Sequence, residues 1–247
     1  MTTTIVLTRP EADSDRLAAR LSEAGIASQI LPLLRIEPAD AEPLRSVVQP
    51  EPGAIFIFIS ANAVRFGLPH LLPAIKGTQS TVIAVGERTR SMLAEAQLMV
   101  RVPERADSEG LLALEDLQSV RDTQIVIVKG VGGRGLLATT LTERGARVEE
   151  CICYQRTWPK VDVSALEQTD ADWIFQASSG ETLARLSQLL TGAGLTDLFQ
   201  CPVIVPSGRV AMMASQLGWA RAIRAHDAGD EAFIEALSSL LPSDQRN

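Results

Sequence analysis

The chain repeats itself, and that constrains its fold more than any other feature. "RLAARLSEAGI" from Arg16 resembles "LLATTLTERGA" from Leu136, and "IFISANAV" from Ile57 resembles "WIFQASSGET" around Phe175. "VIAVGERTRSML" from Val82 matches "VIVPSGRVAMMA" from Val203, and "ADSEGLLAL" from Ala106 matches "AGDEAFIEAL" from Ala228. Each pair is displaced by about 120 residues, the signature of one supersecondary plan used twice. Apolar runs that read as strands lie at 4–8, 27–33, 54–60, 81–85, 99–102, 124–129, 148–154, 173–177, 202–206 and 222–226. Between them apolar residues recur at helical spacing, as in Leu17, Leu21 and Ala24 or Val210, Met213 and Leu217. Gly25 and Gly145 close helices as C-caps. Near-continuous apolar strands alternating with helices give an α/β class, with parallel sheets covered on both faces.

Each repeat supplies five strands, but the first opens with a two-strand unit and then meets Pro38, Pro43, Pro50 and Pro52. A second break follows "CYQRTWPK". If these breaks are crossover points, residues 1–36 and 160–247 form one discontinuous α/β domain and residues 50–153 an inserted one. Residues 33–38 and 154–159 are then paired connectors, and the two domains enclose a cleft. Two sequential domains are the alternative that the breaks alone leave open.

Composition removes several functions. A net charge of −7 without any basic block argues against a nucleic-acid partner. There is no uninterrupted apolar stretch of membrane-helix length and no signal-peptide pattern, so a cytoplasmic protein without a membrane partner is expected. Cys151 and Cys153 share one strand face and Cys201 is distant, which reads as buried thiols and not as a zinc or disulfide framework. His70 and His226 are the only histidines and fit no metal or triad signature. His70, in "LPHLLP", reads as a loop or helix-end residue, and His226, ending an apolar run, as a residue that could lie near a site.

Gly130, Gly132 and Gly135 have dinucleotide-fingerprint spacing between a strand and a helix. That fingerprint also needs an acid at the carboxyl end of the next strand. Glu149 and Glu150 instead open that strand, and its far end is Tyr154, Gln155 and Arg156. What survives is a set of backbone N–H groups facing some anion. Six such turns follow strands: Thr8-Arg9, Ser60-Ala61-Asn62, Gly86 to Thr89, Lys129 to Arg134, Ser178-Ser179-Gly180 and Ser207-Gly208-Arg209. Arg9, Arg88, Lys129, Arg134 and Arg209 add charge-assisted donors. The plain alternative for each Ser or Thr is helix N-capping, worth about 1 kcal/mol.

"IVLTRP…LAARLSEAGI…LPLLRIEP", "IFISANAV", "IAVGERT", "ADSEGLL", "KGVGGRGLLATTLTERGARVEECICYQR", "FQASSGETL" and "VPSGRVAMMASQLGW" occur in the order seen in uroporphyrinogen-III synthases, and the chain resembles that family over nearly its whole length. It departs from the family's common forms at Ile59, where Thr is frequent, at Lys129, where Arg is frequent, and at Gln176 and Ala177, where hydroxyl residues are frequent. The resemblance implies two flavodoxin-like domains, the first discontinuous, joined by a two-stranded connector. It also implies a cofactor-free reaction on hydroxymethylbilane, a linear tetrapyrrole with eight carboxylates, as a step of haem biosynthesis. The implied reaction loses the terminal hydroxyl as water, attacks the resulting azafulvene through the substituted carbon of ring D, and inverts that ring by fragmentation and reclosure. Thr8, Arg9, Ser60, Asn62, Gly86, Thr89, Lys129, Gly130, Gly132, Gly133, Arg134, Ser178, Ser179, Gly180, Ser207 and Arg209 are then the expected substrate-binding residues. Tyr154, the only tyrosine, matches the family's "YQ" motif and is the expected proton donor or hydroxyl binder. A monomer is expected, with substrate handed over by the preceding pathway enzyme. A non-enzymatic two-lobed binding or sensing protein for an anionic small molecule is the alternative.

Overall fold

The computed structural model describes residues 2–39, 50–133, 135–167 and 171–241. The chain divides into two units, Met1–Arg35 with Thr157–Asn247 and Ile36–Arg156. The first unit runs β1 (Thr2–Leu7), α1 (Glu11–Glu23) and β2 (Ala27–Ile30). It resumes with β9 (Ala171–Gln176), α6 (Gly180–Gly192), β10 (Pro202–Val205), α7 (Gly208–Gln216), β11 (Arg221–Arg224) and α8 (Asp230–Ser238). Its strands lie in the order β11-β10-β9-β1-β2, and each neighbouring pair is parallel. The interior strand β1 is apolar on both faces, because helices cover both. Ile5 and Leu7 pack with Leu17 and Leu21 of α1 and Phe233 and Leu237 of α8, while Val6 faces Leu183 and Leu186 of α6 and Val210 of α7.

The second unit contains β3 (Arg35–Pro38), β4 (Ile55–Phe58), α2 (Ala61–Gly77), β5 (Thr81–Ala84), α3 (Glu87–Glu95) and β6 (Val100–Arg101). It continues with α4 (Ser108–Ala113), β7 (Gln124–Gly130), α5 (Leu136–Glu143) and β8 (Arg147–Thr157). The sheet order is β3-β8-β7-β4-β5-β6. In β4, Ile55 and Ile57 turn to the α4 and α5 side, and Phe56 and Phe58 to α2 and α3. One tetrapeptide therefore supplies both layers of the core. Leaving β3 aside, β8-β7-β4-β5-β6 has the same spatial order as β2-β1-β9-β10-β11. The two halves of the sequence repeat thus build one sheet plan, which the chain enters at different strands.

Residues 35–38, expected in a two-stranded connector, form β3 beside β8, and Ala39 N–H donates to Cys153 O at 3.2 Å, which carries the second unit back to Ile36. One local feature differs from the sequence expectations. "LPHLLP" is neither a loop nor a helix end, since α2 runs unbroken through Pro69 and Pro73 with His70 exposed in its interior. The prolines stand four apart on the exposed face, so the carbonyls they leave unpaired meet water, while Val64, Leu68, Leu71 and Ile75 hold the inner face.

Candidate active site

In an open parallel sheet, ligands collect beyond the carboxyl ends of the strands where strand order reverses. In the second unit that reversal lies between β4 and β7, and the turns after these strands hold Ser60 and the glycine loop. Tyr154 joins them through an irregularity in β8. Gln124 to Lys129 pair in register with β8 as far as Ile152, and then Gly130 pairs with Tyr154, so one residue is skipped. Simple alternation would send Tyr154 to the face of Glu150 and Ile152. The bulge instead puts it in the same buried cluster as Cys151 and Cys153, on the α2 side.

The tyrosine ring lies directly over Gly130. A Cβ there would meet its Cε2 and Cζ at 2.6 Å, so the first glycine of the fingerprint makes room for a phenol and not for a pyrophosphate. Tyr154 is 6% exposed, and its ring centroid is 6.1 Å from that of Phe66. Its hydroxyl is 3.0 Å from Ser60 Oγ, which also accepts the Ala63 N–H at 3.0 Å as the N-cap of α2. Three residues expected at the site, Ser60, Gly130 and Tyr154, are therefore brought together.

The reversal in the first unit, between β1 and β9, is closed by the unit's own side chains. Thr8, fully buried, donates its hydroxyl to Gln176 O at 2.6 Å, and its N–H donates to Gln176 Oε1 at 3.2 Å. Arg9 is turned inward and is only 7% exposed. Its guanidinium pairs with Asp230 and donates to Ala228 O at 2.7 Å, latching the start of α8. Arg16 holds the other Asp230 oxygen at 2.9 Å. Burial alone would raise the Asp230 acid; the hydrogen bond from Arg16 and the charge of Arg9 outweigh it and hold the carboxyl below its ordinary value. Arg9 and Thr8, expected to face substrate, are spent on the fold instead.

Lys129 is likewise buried, and donates to Glu150 Oε1 at 2.7 Å. Thr89 is buried within α3. Ser179 and Ser207 cap α6 and α7 through Thr182 N–H and Val210 N–H, the structural role that hydroxyl residues have at such turns. Gly86 caps α3 by its backbone alone. Asn62 and Ser178 are half-buried at their turns, and Gly132 and Gly133 are exposed in a left-handed conformation that suits glycine. Gly180 is buried, while Arg209 is exposed with Nη1 3.8 Å from where a Gly180 Cβ would sit. Arg134 lies outside the described residues. Burial pushes the Cys151 thiol up to about 11 and the Cys153 thiol to about 12, which leaves both inert as nucleophiles. His226 is exposed beside Asp227 and Glu235.

Sequence reasoning missed Asp230 and the pairing roles of Glu150 and Gln176. Nothing local signals a partner 221 residues away, as Asp230 is from Arg9. Only the departure at Gln176 was visible.

The family model described as Uroporphyrinogen-III synthase HemD matches residues 15–235. The chain is 31% identical to a uroporphyrinogen-III synthase of Salmonella typhimurium and 29% identical to one of Escherichia coli, covering in each case 94% of this chain and 99% of the relative. A uroporphyrinogen III synthase structure from Thermus thermophilus matches with a TM-score of 0.56 at 17% identity, over 97% of this chain and all of that one. A Helicobacter pylori uroporphyrinogen-III synthetase matches with 0.59 at 16% identity, over 98% of this chain and all of that one. The folds agree, and with the family model matched across most of its length, the chain belongs to the uroporphyrinogen-III synthase family.

Proposed function

We propose that this chain cyclises hydroxymethylbilane to uroporphyrinogen III without a cofactor, with Tyr154 as the proton donor to the departing hydroxyl. The observation that carries the reading is the placement of the chain's one tyrosine. A strand bulge and a glycine fix its ring at the sheet's reversal point, with the hydroxyl at the N-terminus of α2. In this reading the protein is a lyase that works as a cytoplasmic monomer and takes its unstable substrate from the preceding enzyme.

The chemistry required is limited. The Tyr154 proton moves to the hydroxyl oxygen, the carbon–oxygen bond breaks with assistance from the pyrrole nitrogen, and water leaves. Ring D attacks the azafulvenium through its substituted carbon to give a spiro intermediate, which fragments and recloses through the other α-carbon. Rearomatisation releases the proton of that carbon and so replaces the one donated. The uncatalysed route closes at the unsubstituted position and gives the symmetrical isomer, so the protein's task is positioning, worth several kcal/mol, plus one proton transfer. Asn62, Gly86 and the Gly132-Gly133 loop supply polar and backbone groups at the same edge for the substrate carboxylates.

The test is conversion of freshly made hydroxymethylbilane, followed by oxidation and separation of the isomers. Type III product formed above the uncatalysed rate is expected; the symmetrical isomer alone, at that rate, would sink the proposal. Tyr154→Phe keeps the ring and removes the proton, so turnover should fall by about tenfold to a thousandfold with type III still formed. A switch of isomer would mean that Tyr154 orients ring D instead.

A further inference from the structure

We infer that Ser60 is a positioning residue that acts through Tyr154: its hydroxyl donates to the phenol oxygen and turns the phenol proton outward to the substrate. This rests on the reading of Tyr154 as proton donor. A serine hydroxyl has one hydrogen and two acceptor positions. One acceptor position takes the Ala63 N–H at 3.0 Å, and the remaining contact is Tyr154 Oη at 3.0 Å. Either hydroxyl can donate across this contact, and only with Ser60 as donor is the phenol proton left free for the substrate, as the reading of Tyr154 requires.

With Ser60 as donor, the chain from Ala63 N–H through Ser60 O–H to Tyr154 Oη runs in one direction, and each bond polarises the next. It starts at the positive end of the 17-residue helix α2. When the phenol gives up its proton, the negative charge forms where the serine hydrogen already points, and a hydrogen bond to a charged oxygen is about twice as strong as a neutral one.

The corresponding turns of the first unit show what capping alone requires. Ser179 and Ser207 have the same extended backbone as Ser60 and the same bond to the third residue of the turn, and neither touches a phenol. Capping therefore explains the serine's bond to Ala63 but not its bond to Tyr154. The phenol has little freedom to find another partner, because Gly130 lies under the ring and the β8 bulge sets its direction.

Two readouts test the inference. Because the chain has one tyrosine, labelling tyrosine with 13C at Cζ gives one resonance, which reports hydrogen bonding at the phenol. Ser60→Gly keeps most of the capping while removing the hydroxyl, so the fold is preserved. The resonance should move in Ser60→Gly and Ser60→Ala and return in Ser60→Thr. In steady-state kinetics on hydroxymethylbilane, Ser60→Gly should lower kcat by about tenfold or more, in line with loss of one hydrogen bond to a charged group, with KM within about twofold. Ser60→Thr should recover to within about threefold. Within a Tyr154→Phe background, Ser60→Gly should change kcat by less than about twofold. An unmoved resonance, or an equal loss of kcat in both backgrounds in an active enzyme, overturns the inference alone. A wild-type chain that yields only the symmetrical isomer overturns the reading of function and the inference with it.

Discussion

Gly130→Ala tests the site through a contact that is absent until it is made. The new Cβ would lie 2.6 Å from Cε2 and Cζ of Tyr154 and 3.0 Å from Cδ2, whereas carbon atoms rest at about 3.5–4.0 Å. The ring must retreat by about 1 Å. Gly130 is not among the glycines with positive φ, so the backbone accepts alanine, and alanine gains about 0.5–1 kcal/mol over glycine within a strand. Overpacking costs about 1–3 kcal/mol, which leaves a net loss of at most about 2.5 kcal/mol and a folded protein. Catalysis should suffer more. A retreat of that size takes the phenol beyond hydrogen-bond range of Ser60, and a 1 Å misplacement costs about a hundredfold in rate. Urea unfolding should therefore show a small shift, and turnover of hydroxymethylbilane a drop of about a hundredfold. Turnover within about threefold of the parent, at unchanged stability, would refute the reasoning: the ring position would then be immaterial.

Arg9→Ala should destabilise the protein by about 1.5–3 kcal/mol in urea unfolding, because it strips a half-buried carboxylate of one charged partner while Arg16 retains the other; unchanged stability with a raised KM would return Arg9 to substrate binding. Asp230 is held below its ordinary carboxylate value, so the stability it contributes is complete above about pH 4 and is lost as pH falls through its folded-state value. Asp230→Asn should flatten that acid limb, and an unaltered limb would show that other carboxylates govern it. A fragment of residues 36–156 should unfold cooperatively on its own, whereas residues 1–120 should not, because β1 would lack β9; the reverse result would favour two sequential domains.

The strands and the doubled plan were legible because apolar runs such as Ile55–Phe58 are buried on both faces and leave an unbroken hydrophobic signal. The strand Arg35–Pro38 carries no such signal of its own, since it is half-exposed and holds Arg35 and Glu37, and only the family resemblance implied a two-stranded connector there. Tyr154 was legible as a residue but not as a geometry. Its face depends on one skipped pairing at Gly130, and a one-residue shift reverses any alternation argument. Arg9 and Lys129 looked available because a sequence shows a charge but not its partner. Asp230 and Glu150 emerge only once α8 and β8 are in place. His70 in "LPHLLP" read as a loop or helix-end residue because the exposed face shared by Pro69 and Pro73 exists only when α2 has formed.

The shared sheet plan, entered at different strands, also orders events on the ribosome. In the first unit Thr4 of β1 pairs with Trp173 of β9, so β1 emerges long before the partner that completes its sheet. At about 5–20 residues per second the interval is roughly 10–30 s, ample for a domain to fold. All strands of the second unit are made within that interval. Ile5, Val6 and Leu7 must wait meanwhile as an unfinished apolar edge. A nascent chain of this protein thus carries a native second unit behind a short segment in need of protection, and that vulnerable segment is the one synthesised first.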